Sequence, residues 1–168
     1  MRKTKKLVTL SLFTAMAIGI YVIEAQIPVP IPIPAVKLGL ANIISLVVLM
    51  MMGWKEALVV TLLRVILGSI FSGNLPAFLF SIVGALLSNI SMIFLYQYGR
   101  EYISIYSISV IGALFHNIGQ LIVAAFIIQN VKIYLYAPIL LVSGLITGLF
   151  VGIAAQFIYK HFKKLFFN

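Results

Sequence analysis

The sequence predicts an all-α integral membrane protein, a bundle of about six transmembrane helices forming a single domain over residues 1–168. Three observations carry that expectation. Hydrophobic residues make up 63% of the chain and charged residues only 9%, with a mean hydropathy of +1.19, whereas a soluble domain is about one quarter charged. Apolar surface on that scale has to face lipid rather than water. The apolar stretches are broken by short polar or proline-rich segments at near-regular intervals. Finally, the basic residues collect at the ends of those stretches.

Taken in order, the first span is expected at about 7–25. Its basic start resembles a signal peptide, but no convincing small-residue cleavage site follows, so it is read as a retained helix. The run Gln26-Ile-Pro-Val-Pro-Ile-Pro-Ile-Pro34 comes next. Alternating prolines hold φ near −65° and lack N–H groups, which predicts a stiff, extended loop. The remaining spans are expected at about 36–52, 57–71, 77–98, 103–128 and 133–159. The breaks fall at Gly53-Trp-Lys-Glu56, Ser72-Gly-Asn-Leu-Pro76, Gly99-Arg-Glu101 and Gln129-Asn-Val-Lys132. The second and third spans are short for a bilayer.

With the N-terminus inside, nine bases fall on the inner side and two, Lys37 and Lys132, on the outer side. By the positive-inside rule this predicts a multi-pass protein of the plasma membrane with both termini cytoplasmic. The net charge of +9 is consumed by these flanking clusters, and no basic groove remains for nucleic acid.

Composition also excludes chemistry. There is no cysteine, and the acidic residues are three glutamates, Glu24, Glu56 and Glu101, with no aspartate. Thiolate sites and paired catalytic carboxylates are absent, no GxxxxGK(S/T) loop is present, and His116 is the only histidine within a span. The expectation is a protein that is not an enzyme and holds neither metal nor cofactor.

Polar residues inside the spans are the candidates for function. Arg64 sits mid-span, where insertion costs about 2.5–3.5 kcal/mol, so it needs a partner or a wet cavity. Ser109, Gly112, Ala113, His116, Asn117 and Gln120 recur at the spacing of one helix face. His116, Asn117 and Gln120 put three hydrogen-bonding side chains within two turns, which is expensive in hydrocarbon. The two accounts are a ligand-facing site and interhelical glue. Asn42 and Glu24, with Asn74, form a weaker group at the outer ends. The small residues Ser11, Ala15 and Gly19 make a stripe suited to docking another membrane protein. Those of span four (Ser81, Gly84, Ser88, Ser91) and span six (Gly144, Gly148, Gly152) suit internal packing.

Together the proline run, Lys37-Leu-Gly-Leu-Ala-Asn-Ile43, Arg64, Ser72-Gly-Asn74 and Gly112-Ala-Leu-Phe-His-Asn-Ile-Gly-Gln120 resemble the Gx transporter family. That family is also catalogued as heptaprenyl diphosphate synthase component I. The resemblance covers nearly the whole chain; Ala35 departs from an expected glycine. The family is in turn similar to the substrate-binding S components of energy-coupling-factor (ECF) transporters. That similarity implies an outward pocket and docking, through Ser11, Ala15 and Gly19, to a transmembrane coupling subunit driven by ATPases. It implies uptake of a small, anionic vitamin-like or isoprenoid- or quinone-related compound. Arg64, His116, Asn117, Gln120, Asn42 and Glu24 would form its site. The other family name implies an accessory membrane subunit of isoprenoid synthesis. Prenyl elongation holds Mg²⁺ on aspartate-rich motifs, and a chain without aspartate would not be the catalytic subunit.

Overall fold

A computed structural model describes residues 3–27, 37–73 and 75–167, with backbone alone at 75–77 and 165–167. The proline run and Asn74 lie outside the described residues. Six α-helices account for the described chain: α1 Lys3–Glu24, α2 Asn42–Met52, α3 Trp54–Ser72, α4 Leu75–Tyr98, α5 Ile105–Ile128 and α6 Ala137–Phe167. One 3-10 segment, Val131–Tyr136, leads into α6. The fold is an all-α membrane bundle. Among the described residues four helical stretches are long and apolar enough to cross a membrane: Lys3–Glu24, Phe78–Tyr98, Ile105–Ile128 and Val131–Lys164.

The second helix departs from the sequence reading. A helix is expected from about 36, but α2 starts at Asn42 and has 11 residues. At 1.5 Å per residue it spans roughly 16 Å, about half the hydrocarbon thickness. The cause is Gly39, whose φ of +83° puts the chain in a region that side-chain-bearing residues avoid. Residues 37–41 therefore enter the bundle as a turn. Being short, α2 does not face lipid along its length. Asn42 to Leu49 are all buried, because α2 lies among α1, α3, α4 and α6. Gly53, at φ +105°, then reverses the chain directly into α3.

The remaining helices are held by close backbone approach. A Cβ on Gly119 of α5 would lie 2.8 Å from the Cα of Gly84 on α4, and one on Gly148 of α6 would lie 2.6 Å from the Cα of Val110 on α5. Both helix pairs therefore touch backbone to backbone, as small-residue stripes allow. Ser109 Oγ donates 2.7 Å to the Gly148 carbonyl across the second of these contacts.

Two apolar cores result. The larger draws Phe13 and Ala17 of α1, Ile43, Ile44 and Leu46 to Leu49 of α2, Val60 of α3, Met92 of α4, Ile108 of α5 and Val151 of α6 into one cluster. It sits toward the end where the chain starts and finishes. That end also carries the Lys6–Glu56 ion pair, together with Lys55, Arg100, Lys160, Lys163 and Lys164. The smaller core joins Phe80, Leu121, Ala124, Ile133 and Leu140 at the opposite end. Between them lies a polar layer.

Candidate functional site

The polar layer begins with α1. Phe13, Ala17, Tyr21 and Glu24 recur on its buried face. This carries Glu24, the last residue of the helix, into the bundle, where it is 4% exposed. Its carboxylate accepts from the backbone N–H of Gly39 through Oε1 and from that of Ala41 at 3.4 Å through Oε2. Two backbone donors that a longer α2 would have absorbed are thus satisfied by Glu24. These two hydrogen bonds to Glu24 mark where α2 starts.

Asn42 follows as the first residue of α2. Its Oδ1 accepts from Arg64 Nη2 of α3 at 2.5 Å, and its Nδ2 donates to Ser88 Oγ of α4 at 3.2 Å. Arg64 is 2% exposed and so does not snorkel to an interface.

From α5, Gln120 Oε1 accepts from the backbone N–H of Lys37 at 3.4 Å, and Gln120 Nε2 stands 3.0 Å from His116 Nε2. His116 is wedged between two glycines. A Cβ on Gly39 would lie 3.1 Å from His116 Cδ2, and one on Gly84 3.0 Å from His116 Nδ1. Neither position has room for a larger residue while the imidazole stays in place.

The structure brings Arg64, Asn42, Glu24, His116 and Gln120 together around the 37–42 turn. Asn117 is turned elsewhere: its Nδ2 donates 2.6 Å to the Leu140 carbonyl of α6, so it braces α5 against α6. Of two phenylalanines toward this end, Phe80 belongs to the smaller core, whereas Phe71 is well exposed.

Several members of the layer escaped sequence reasoning. Lys37, counted there as an outer-loop base, is 7% exposed, and its Nζ lies 3.2 Å from the centroid of the Tyr21 ring. Tyr21 in turn donates 3.0 Å to Ser81 Oγ and pairs with Ser69 Oγ at 2.9 Å. Deeper in the bundle, Asn89 of α4 donates to the Ala57 carbonyl at 3.2 Å and to Thr61, which pairs with Ser45 at 2.8 Å. The available signal was the buried-face spacing of Tyr21 with Glu24 and the string that follows Lys37.

Not every polar atom here is matched. Among the described residues, Lys37 Nζ, Arg64 Nε, Asn89 Oδ1 and His116 Nδ1 are buried without a hydrogen-bond partner. Buried polar atoms are nearly always paired, and buried charges more so. Among the described residues the layer holds two cations, Lys37 and Arg64, and one carboxylate, Glu24. It contains no second carboxylate for acid–base work. What it offers chemically is unpaired N–H donors on positive groups in a low-dielectric setting, which is an attraction for an anion.

Fold and site together define a polytopic α-helical membrane protein with a buried, net-positive polar cluster. The chain belongs to the heptaprenyl diphosphate synthase component I family, whose model matches residues 13–158. No curated protein and no solved structure matches the chain.

Proposed function

We propose that this protein is the substrate-binding membrane subunit of an uptake system for a small anionic compound, acting as S components of ECF transporters do. The observation that carries this reading is the pair of buried cationic nitrogens, Lys37 Nζ and Arg64 Nε, that have no hydrogen-bond partner among the described residues. Arg64 would hold the anionic group through its forked donors. His116 and Gln120 would meet the ligand's polar edge, with Asn42 orienting Arg64 and Asn117 bracing α6. The ligand would be vitamin-like or isoprenoid- or quinone-related.

The chain carries no nucleotide-binding loop, so energy for uptake would come from a coupling subunit with ATPases. Ser11, Ala15 and Gly19 are exposed on α1, and a Cβ on Gly19 would meet nothing among the described residues within 4 Å. That open stripe suits docking of such a subunit. The basic end, holding both termini, would face the cytoplasm of a plasma-membrane protein, with residues 1–168 acting as one transmembrane domain.

The family description favours a second reading, a non-catalytic accessory subunit of heptaprenyl diphosphate synthesis. In neither reading is the chain an enzyme, since it offers no aspartate for Mg²⁺. Native mass spectrometry of the purified protein separates the two. A small anion bound to the wild type and lost from Arg64→Lys is the expected result. Copurification with a prenyl synthase subunit, and no small molecule, would establish the second reading instead.

A further inference from the structure

We propose that the buried cluster selects ligands carrying a single negative charge, and that Glu24 sets this limit without touching the ligand; the proposal rests on the anion-binding reading above. The delocalised guanidinium of Arg64 is the basic side chain that holds its proton most firmly. The Lys37 ammonium lies over the face of Tyr21, 3.2 Å from the ring centroid, where a cation is favoured.

The third basic side chain, His116, is neutral on hydrogen-bonding grounds. Gln120 Oε1 accepts from the Lys37 backbone N–H, so the amide's donor, Nε2, is the atom 3.0 Å from His116 Nε2. That ring nitrogen therefore accepts. An imidazolium donates from both nitrogens and would set two donors face to face.

Glu24 supplies the opposing charge. Both of its oxygens are engaged by backbone donors, Gly39 N and Ala41 N, so its charge is spent on holding the turn while still counting in the electrostatic balance. Two cations and one carboxylate leave one positive charge. In a desolvated site an unmatched charge is costly in either sign. A carboxylate or another monoanion closes the balance. A phosphate monoester or diphosphate, with two or more negative charges, overshoots it. Glu24 is thus a specificity-determining residue, and its removal adds one unit of capacity for negative charge.

Isothermal titration calorimetry on the detergent-solubilised full chain tests this with two ring-matched probes, benzoate and phenyl phosphate, at about pH 8, where the phosphate monoester is dianionic. In the wild type benzoate is expected to bind at least about tenfold tighter than phenyl phosphate. Glu24→Gln, which keeps an acceptor oxygen for the turn, is expected to reverse that order. The double variant Glu24→Gln with Lys37→Gln returns the site to one positive charge and is expected to restore the preference for benzoate.

Equal or tighter binding of phenyl phosphate by the wild type, with both probes lost from Arg64→Lys, overturns the charge limit and leaves the anion site standing. Failure of both probes to bind the wild type overturns the anion site itself. An unchanged order in a folded Glu24→Gln overturns the role of Glu24. The wild-type comparison decides the charge limit even where a variant does not fold.

Discussion

Lys6 and Lys37 are the same residue in two places, and the contrast between them explains most of this molecule. Lys6 pairs with Glu56 at the basic end, where its side chain is 45% exposed. Water reaches the Lys6 ammonium there, and such a surface pair contributes about 0–1 kcal/mol. Lys37 lies inside the bundle with Arg64 and Glu24, and its Nζ has no hydrogen-bond partner among the described residues. A charge kept in that position is either matched by a ligand or is a standing cost to the fold. Residue type therefore says little here, and depth in the bundle says nearly everything.

The largest effect is expected at Arg64. Arg64→Ala would leave Glu24 and Asn42 without their cationic neighbour and should destabilise the fold by about 3–5 kcal/mol, seen as a lowered melting temperature in detergent. Arg64→Lys keeps the charge and loses the fork. It should cost on the order of 100-fold in anion affinity with a small change in melting. Normal binding by Arg64→Lys with a much earlier melt would mean that the cluster is structural, and the contrast with Lys6 would then be one of stability alone.

Packing comes next. A Cβ on Gly68 would collide with the Tyr21 ring, coming 2.9 Å from its Cε1. Gly68→Val should therefore cost about 1–3 kcal/mol through overpacking. Because Tyr21 carries Lys37 on its face, the same variant should also weaken anion binding. Thermal melting and titration of the one protein report both effects, and loss of stability with binding intact would uncouple Tyr21 from the site.

Asn117 sharpens the comparison within a single helix. Its amide bonds to the Leu140 carbonyl, whereas His116, one residue earlier, faces the cluster. Asn117→Ala should cost about 0.6 kcal/mol, as such interhelical bonds do, and should leave anion affinity unchanged. A large loss of affinity in a stable Asn117→Ala protein would place Asn117 beside the ligand. At the exposed end, Lys6→Ala should shift melting by less than about 1 kcal/mol, and the shift should vanish at high salt.

These expectations show what the sequence made legible. The 3.6-residue period put Ser109, Gly112, Ala113, His116, Asn117 and Gln120 on one face, and all six are buried. Spacing cannot say which neighbour each residue on that face will meet, so the division between Asn117 and His116 was invisible. The start of α2 was misplaced because an apolar run after a proline segment looks helical from its first residue, and only the Gly39 turn, engaged by a carboxylate fifteen residues earlier, delays it. Lys37 was counted as a surface base for the same reason: that turn carries it inward. Ser88 lies on a stripe legible as packing, and packing stripes also carry hydrogen bonds when the facing helix offers a group such as Asn42.

The smallest effect on the fold is expected where a glycine faces outward. Gly68, Gly84, Gly119 and Gly148 each have neighbours that a Cβ would strike, whereas Gly19 has none within 4 Å among the described residues. Leucine at position 19 starts into open space among the described residues and improves helix propensity slightly. Gly19→Leu in the isolated protein should then melt no earlier than the wild type and bind anions equally well. With Ser11 and Ala15 exposed beside it, the same leucine would stand up from the surface that a partner helix needs to approach closely. Loss of copurification with a coupling subunit, at unchanged stability, is the expected signature. A Gly19→Leu protein that still assembles fully would show that the stripe faces only lipid. One that melts early would show that position 19 is packed in a way the open space around it does not reveal.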